Sequence, residues 1–483
     1  MTKQIIKTDV VVIGGGTAGL SAYREAKKQG KEAIIIEGNV FGTTCARVGC
    51  MPSKLLIAAA ENIHNYEKSK EFGINVGNIS VDGKAVMDRV KSERDRFVGF
   101  VLESVDNIPS EDKIIGHANF IDKNTLEVGE KIQIDFKTAV IATGSRPSYP
   151  KQWEELGDKL IINDNVFDWD ELPKKVAVFG AGVIGLELGQ ALHRLGVNIK
   201  LFSVGGAVAA LTDQDIKDYA EKTFDDEFYF DINANVKEIK RESNSVKITF
   251  INKNTNKEEI EYFDYLLAAT GRRPNVDNLN IEVLGLKTDE RGVPTADKYT
   301  MKTSLENIFI AGDASNQLPL LHEAADQGLI AGHNAGVYPN INSGLRRTPI
   351  SVVFSDPQIA MIGETRKELD AKYGSCGCYE VGTVSFENQG RSRVMLKNKG
   401  ILNVYAENGT GLFLGAEMIA PNAEHLAHLL SWAVQNKMTI PQMLDMPFYH
   451  PVIEEGVRTA LRDLAEKLNL SHEKIEECLN CGL

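Results

Sequence analysis

The sequence predicts an α/β fold in three parts, with one βαβ unit inserted inside another and a C-terminal α/β region after both. Three observations predict it. Val10 to Ile13 is an apolar strand running into Gly14-Gly15-Gly16-Thr17-Ala18-Gly19, a G-x-G-x-x-G, followed by helical composition over Leu20 to Gln29 and a strand, Ala33 to Ile36, that ends in Glu37. Lys175 to Phe179, Gly180-Ala181-Gly182-Val183-Ile184-Gly185, Leu186 to Leu195 and Val197 to Phe202 repeat the whole pattern. From about residue 347 the chain turns to strands (Ser351 to Phe354, Cys378 to Phe386, Gly400 to Tyr405, Gly411 to Met418) and then helices, with no further glycine fingerprint.

In each unit the first glycine makes the strand-to-helix turn, the second lets the backbone approach a pyrophosphate, and the third lets helix and strand pack closely. The helix N-terminus then offers free N–H groups to the phosphates. A lone fingerprint can be a glycine-rich turn, but strand, helix and second strand are all in place here. Two Rossmann-like units therefore imply two dinucleotides, the alternative being that one copy is degenerate and empty. Glu37 stands where a carboxylate accepts both hydroxyls of a ribose. The second copy reads Leu201-Phe202-Ser203-Val204-Gly205-Gly206 there, with neither a carboxylate for a 2′-hydroxyl nor an arginine for a 2′-phosphate. Ser203 leaves NAD and NADP both open, with the balance toward NAD, because an uncompensated phosphate is costlier than a hydroxyl that water can serve.

Helical periodicity over residues 55–70 and 84–105 reads as scaffold, and Lys113 to Lys137 as short strands. The chain leaves the first sheet at Thr143-Gly144-Ser145-Arg146-Pro147, and Thr270-Gly271-Arg272-Arg273-Pro274 repeats that exit. The boundaries follow: residues 1–150 and 271–346 for the first dinucleotide unit, 151–270 for the inserted one, and 347–483 for the last region. The first unit resumes with the strand Asn307 to Ala311, which ends in Gly312-Asp313. Asp313 can hold a polar group on the first cofactor, or cap a turn or helix.

Composition bounds the function classes. A chain of 483 residues, 43% hydrophobic and 25% charged, suggests about three ordinary globular domains. Its formal charge of −13 argues against nucleic acid as a partner. No apolar run approaches the ~18 residues of a membrane helix, and the early first strand leaves no room for a targeting segment, so a cytoplasmic location is expected. Six cysteines in so long a chain make no disulfide framework, and a cysteine pair is expected to be catalytic rather than structural.

Cys45 and Cys50, five positions apart in Gly42-Thr43-Thr44-Cys45-Ala46-Arg47-Val48-Gly49-Cys50-Met51-Pro52-Ser53-Lys54, read as a redox centre. Cys376 and Cys378 alternate on an expected strand and have no expected redox role. Cys478-Leu479-Asn480-Cys481 is either a C-terminal thiol relay or a pair of free surface cysteines. Zinc is not expected, since no second ligand pair is spaced for it. His450, pinned before Pro451 with Glu455 five residues on, is either a general base oriented by its acid partner or a capped surface histidine.

With these motifs in place, nearly the whole chain resembles the flavin-dependent pyridine nucleotide–disulfide oxidoreductases. The resemblance rests on the first glycine fingerprint, Cys-x4-Cys with Met-Pro-Ser-Lys, both Thr-Gly-x-Arg-Pro exits, the inserted unit, Gly312-Asp313, and His450-Pro451 with Glu455. Within the family it is most similar to the dihydrolipoyl dehydrogenases, through Pro52-Ser53-Lys54 and Leu321-His322-Glu323-Ala324. Mercuric reductases share Pro-Ser-Lys but lack the His-Pro-x4-Glu element.

The resemblance implies FAD on Gly14, Gly16, Gly19, Glu37, Thr44, Lys54, Thr143, Gly144, Gly312 and Asp313, and NAD on Gly180, Gly182, Gly185, Glu187, Ser203 and Gly271. It implies a C-terminal dimerisation domain and a homodimer. Cys50 would be the thiolate beside the flavin and Cys45 the thiol that exchanges with substrate. His450, held by Glu455 and supplied across the dimer, would be the base, with Lys54 and Glu187 paired beside flavin and nicotinamide. The implied reaction is oxidation of dihydrolipoamide on a lipoyl-bearing protein of a 2-oxo acid dehydrogenase-type complex.

Two alternatives stay open: an NAD(P)H-dependent reductase of another disulfide or a metal ion working through Cys478 and Cys481, and a non-catalytic flavoprotein subunit of a multienzyme assembly. The chain departs from the family at Thr43, where glycine is usual, at Arg47, where asparagine is common, and at Ser203, where an acid is expected.

Overall fold

The computed structural model describes residues 3–374 and 376–470. The chain enters through β1 (Gln4–Ile13), α1 (Thr17–Lys28) and β2 (Ala33–Glu37). Three helices follow, α2 (Thr44–Val48), α3 (Cys50–Lys68) and α4 (Gly83–Asp106), then the strands β3 (Lys113–Ile115), β4 (Ala118–Asp122), β5 (Thr125–Val128) and β6 (Ile132–Ile141). Both helices expected from periodicity are present. α1 begins at Thr17 rather than Leu20, because Gly16 already supplies the extended N-cap residue.

A short β7 (Ser145–Pro147) leads out of this sheet, and β8 (Leu160–Ile161), α5 (Asn163–Val166), β9 (Lys175–Phe179), α6 (Val183–Arg194) and β10 (Asn198–Phe202) open the second unit. It continues through α7 (Gln214–Asp225), β11 (Tyr229–Asp231), an antiparallel meander of β12 (Asn235–Glu242), β13 (Ser245–Asn252) and β14 (Lys257–Phe263), and β15 (Tyr265–Ala268). The return runs through β16 (Arg272–Pro274) to β17 (Ile308–Ile310) and α8 (Leu321–Val337).

The first sheet has the order β3-β2-β1-β6-β5-β4, and β17 completes it by pairing parallel with Ala139–Ile141 of β6. Its central runs, Val10–Ile13, Ile34–Ile36, Ala139–Ile141 and Ile308–Ile310, are buried throughout, as expected of parallel strands covered on both faces. The second parallel sheet has the order β11-β10-β9-β15-β8. The two Thr-Gly exits lie side by side, since β7 and β16 pair antiparallel with Arg272 opposite Pro147 and Pro274 opposite Ser145. The inserted unit thus leaves and returns through one two-stranded neck.

The C-terminal sheet is antiparallel, β18-β19-β22-β21-β20. Its members are β18 (Ile350–Val353), β19 (Gln358–Gly363), β20 (Tyr379–Ser385), β21 (Ile401–Glu407) and β22 (Phe413–Ala420), with α9 (Arg366–Tyr373), α10 (Gly390–Val394), α11 (Ala423–Gln435), α12 (Ile440–Leu444) and α13 (Glu455–Lys467) around it. β19 was not expected from sequence. It follows Pro357 and is buried on both faces, so it lacks the polar alternation that marks a half-exposed strand.

Cys376 and Cys378 do not lie on a strand. β20 begins at Tyr379, and the two cysteines sit in the loop after α9, joined by a disulfide. The expectation that they alternate on a strand is corrected accordingly, because Gly374 and Gly377, both at positive φ, turn the chain before the sheet is reached. Cys478 and Cys481 lie outside the described residues. Among the described residues, no helix is long and apolar enough to cross a membrane.

The C-terminal sheet is tied to the inserted unit by Glu417 of β22, a carboxylate with 0% exposure. It accepts hydrogen bonds from Thr212 N (2.7 Å), Asp213 N (3.0 Å) and Arg366 N (2.9 Å). Glu417→Ala leaves those buried donors without an acceptor and is expected to destabilise the fold by about 3 kcal/mol or more, read as a lower midpoint in urea denaturation. A midpoint unchanged from wild type would show that water replaces the carboxylate.

Candidate active site

Two glycine-rich turns, the expected phosphate cradles, stand at the start of α1 and α6. Gly14 and Gly180 hold φ of +110° and +111°, and a Cβ on either would meet a backbone carbonyl at 2.3 Å. A Cβ on Gly19 or Gly185 would lie 1.8 or 1.9 Å from the carbonyl of Gly14 or Gly180. Those glycines serve packing. Gly16 and Gly182, the N-caps, differ: a Cβ there meets nothing within 4 Å. The protein's own packing does not need glycine at these two positions, whereas a dinucleotide pyrophosphate approaching the helix N-terminus does. Both cradles therefore fit the group expected of them.

Around the first cradle, Glu37 accepts hydrogen bonds from Gly15 N (2.7 Å) and Asn39 N (3.0 Å), leaving half of its lone pairs open to further donors. Asp313 accepts from Ser145 Oγ (2.6 Å), and Arg272 donates to that same hydroxyl (2.8 Å) and to the Ser145 carbonyl (2.7 Å). Thr143 donates through Oγ1 to Asn275 O (2.6 Å), and Gly144 O accepts from Asn275 N (2.9 Å). The neck is thus cross-tied onto Gly312-Asp313. Sequence reading missed Gln327 of α8, fully buried, whose Oε1 takes Gly312 N (2.9 Å) while its Nε2 has no partner among the described residues. At the second cradle Ser203 follows β10 and donates its backbone N–H to Asp231 O (2.7 Å), and Gly271 accepts from Ser148 N (2.9 Å).

The dithiol sits where two helices meet. Thr43 caps α2, its Oγ1 accepting from Ala46 N (3.3 Å), yet its backbone is held at φ 57°, ψ 146°, a conformation suited to glycine. Thr44 and Cys45 open α2, and Cys50 opens the 19-residue α3. Both cysteines are thiols, Cys45 half-buried and Cys50 exposed. A hydrogen bond between the two sulfurs holds the Cys50 thiol down at about 7, burial opposing and the Lys54 ammonium assisting, while the same bond and burial push Cys45 well up. The pair therefore divides into a thiolate at Cys50 and a thiol at Cys45.

Lys54 lies one turn after Cys50 on the same face of α3. Its Nζ is 2.8 and 2.7 Å from the two carboxylate oxygens of Glu187 on α6, and 4.4 Å from the centre of the Phe354 ring. Glu187 is 4% exposed and also accepts from Phe354 N (3.0 Å). The bridge forms because Leu56, Ile57 and Ala60 of α3 share one apolar cluster with Leu186, Leu188 and Ala191 of α6. Ser53, absent from the expected site, donates to Cys50 O (3.0 Å).

Arg47 packs its stem across Gly42, where a Cβ would meet Arg47 Cδ at 2.8 Å. Burial raises the neighbouring Asp164 carboxyl, and the charges of Arg272 and Arg47 oppose that rise. Asn163, also missed from sequence, donates from Nδ2 to Val48 O (2.7 Å) and so closes the end of α2.

His450 lies in the loop before α13, and Glu455 is the first residue of that helix. His450 Nδ1 is 3.0 and 3.1 Å from the two Glu455 oxygens. A carboxylate only accepts, so Nδ1 carries the proton and Nε2 is left as a free acceptor. The same hydrogen bond lowers the Glu455 carboxyl. Among the described residues, the hydrogen bonds of the His450 ring run to Glu455 alone; within one chain none joins it to either cysteine.

Two dinucleotide cradles and a dithiol beside a half-buried lysine–glutamate bridge define a nucleotide-dependent thiol oxidoreductase. Residues 8–328 match the pyridine nucleotide-disulphide oxidoreductase family and residues 350–461 its dimerisation domain. The chain belongs to that family, whose members use FAD and a nicotinamide nucleotide, and the dimerisation domain supports a homodimer. Similar proteins include the dihydrolipoyl dehydrogenases of Chlamydia muridarum (30% identical, covering 92% of this chain and 94% of that one) and Cupriavidus necator (30%, 95% and 98%). A mercuric reductase of Lysinibacillus sphaericus is 28% identical over 94% of this chain and 82% of its own. In fold, the chain is similar to the HOCl-induced flavoprotein disulfide reductase RclA of Escherichia coli, with a TM-score of 0.78 at 23% identity over 96% of this chain and 99% of that one.

Two outcomes test this geometry. Thr43→Gly removes backbone strain while losing little as a cap, and is expected to stabilise the protein by about 1 kcal/mol, read as a higher unfolding midpoint; a lower one would mean that the hydroxyl outweighs the strain. In the dithiol form, alkylation of Cys50 is expected to titrate with a midpoint of about 7, falling away at lower pH as the thiolate protonates. Lys54→Met should move that midpoint upward, since the ammonium favours the thiolate; no movement would remove Lys54 from the electrostatics.

Proposed function

We propose that the protein oxidises protein-bound dihydrolipoamide to lipoamide with NAD⁺ as acceptor, as a homodimer. The observation that carries it is the His450–Glu455 pair, which leaves Nε2 free to take a thiol proton. The lipoyl substrate is supported by the dihydrolipoyl dehydrogenases that match almost the full chain. The proposal includes the division into 1–150 with 271–346 for FAD, 151–270 for the nicotinamide nucleotide and 347–483 for the dimer interface, and a cytoplasmic setting.

Gly14, Gly16, Gly19, Glu37 and Asp313 would hold FAD, and Gly180, Gly182 and Gly185 the nicotinamide nucleotide. FAD, when bound, supplies two-electron chemistry between a dithiol and a nicotinamide. The chain's own residues do the rest. One dihydrolipoyl thiol gives its proton to His450 Nε2 and attacks Cys45 Sγ of the Cys45–Cys50 disulfide, so that Cys50 leaves as a thiolate. The second substrate thiol loses its proton to solvent and displaces Cys45 from the mixed disulfide, closing the lipoyl ring, and the proton held on His450 returns to Cys45. The substrate loses two electrons and the protein disulfide gains them. Lys54 stabilises the thiolate at Cys50, and Glu187 holds Lys54. In the homodimer the His450–Glu455 pair of each chain serves the dithiol of the other.

Nicotinamide selection rests on the stretch after β10, where Ser203 has no arginine beside it for a 2′-phosphate. With excess dihydrolipoamide, turnover of at least tens per second is expected with NAD⁺ and far less with NADP⁺. His450→Gln should lower kcat roughly 10²–10⁴-fold with the flavin still bound. Inert dihydrolipoamide, with NADPH consumed instead against another disulfide or a metal ion, would overturn the lipoyl assignment.

A further inference from the structure

The proposed chemistry makes no use of the disulfide that joins Cys376 to Cys378 across Gly377. We propose that this pair is a second thiol–disulfide site, separate from Cys45 and Cys50, that exchanges reversibly with small-molecule thiols and their disulfides.

A structural staple is a poor account of it. The stabilisation a disulfide gives by constraining the unfolded chain grows with the length of the loop it closes, and this one closes a loop with a single residue inside. The loop is also held without it. Cys376 N donates to Tyr373 O (3.3 Å), Asn408 N to Cys378 O (2.8 Å) and Asn408 Nδ2 to Gly377 O (3.0 Å). The flanking elements have their own anchors: Leu369 of α9 is fully buried against Tyr405 and Leu414, and β20 pairs with β21 from Tyr379 to Ser385. Opening the sulfur bridge therefore releases no element of the fold.

The pair is placed for exchange. Cys376 and Gly377 are exposed and Cys378 is half-buried, so an incoming thiolate reaches Cys376 Sγ with Cys378 as the leaving thiolate. Exposed disulfides are the labile ones, in contrast to buried structural bridges. The reaction balances with a monothiol as reductant. The first thiolate forms a mixed disulfide on Cys376 and releases the Cys378 thiolate. A second monothiol attacks the outer sulfur of that mixed disulfide, leaving as the symmetrical disulfide, and Cys376 and Cys378 take up the two thiol protons. Two monothiols lose two electrons together, and the protein disulfide gains both; the reverse direction reoxidises the pair.

Glutathione is the probe for the test. The full-length protein, with its flavin, is equilibrated at varied [GSH]²/[GSSG], quenched, alkylated and mapped by peptide mass spectrometry. The peptide after Lys372 carries Cys376 and Cys378 apart from every other cysteine of the chain. Its dithiol-to-disulfide ratio should rise about tenfold for each tenfold rise in [GSH]²/[GSSG], pass through unity within the series and reverse on return. Cys378→Ser should trap a glutathione adduct on Cys376. Two alkylated thiols in every buffer, or a disulfide in every buffer, would overturn the proposal. The double variant Cys376→Ser/Cys378→Ser separates exchange from stapling: its unfolding midpoint should stay within about 1 °C of wild type, and a fall of several degrees would make the bridge a staple and the proposal wrong.

Discussion

The bridge from Lys54 to Glu187 is the interaction on which the rest of the site depends. It spans the two dinucleotide units, since Lys54 rides on the helix that begins at Cys50 and Glu187 on the helix that begins at the second cradle. A carboxylate 4% exposed needs its partner, because an unpaired buried charge is costly. The ammonium in turn assists the hydrogen bond from Cys45 in holding Cys50 as the thiolate. One ion pair thus joins the two dinucleotide units beside the dithiol and adds to the stabilisation of the Cys50 thiolate.

α6 extends that grip to the third unit. Glu187, Gln190 and Arg194 are spaced three and four residues apart and so form one polar stripe. Glu187 takes Phe354 N (3.0 Å), Gln190 takes Asp356 N (2.8 Å) and gives to Asp356 O (2.9 Å), and Arg194 meets the Asp356 carboxylate (3.0 Å). The turn between β18 and β19 is therefore clamped onto the helix that carries Glu187. With Glu417 holding Thr212 and Asp213 from the same sheet, the C-terminal sheet and the inserted unit meet through carboxylates whose hydrogen bonds have defined directions. Such contacts set orientation more strictly than apolar packing, which is non-directional.

Much of the fold could be read from local pattern. The glycine fingerprints, the apolar runs of the central parallel strands and the repeated exit motif are short-range signals, and each corresponds to an element the structure contains. Elements whose character comes from distant partners were harder to read. β19 is a strand because β18 and β22 flank it, and Asn163 matters because Val48, more than a hundred residues away, ends α2 with a carbonyl to satisfy. Gln327 was invisible for the same reason: its partner Gly312 comes from a different element.

The sequence by itself determined the residue types of the chemistry: two cysteines at the start of a helix, a histidine with its carboxylate nearby, and two glycine cradles. Backbone requirements do this locally, because only glycine allows the turn and the close approach that a pyrophosphate demands. Tertiary structure decided how those residues are charged and joined. It made Cys50 the acidic sulfur through Cys45 and Lys54, turned Thr43 into a strained cap, folded the two exits into one neck and paired Cys376 with Cys378 in a loop. The physical reason is that pKa values, ion pairs and disulfides depend on distances of a few ångströms between groups, and the folded backbone with its contacts, not spacing in the sequence, sets those distances.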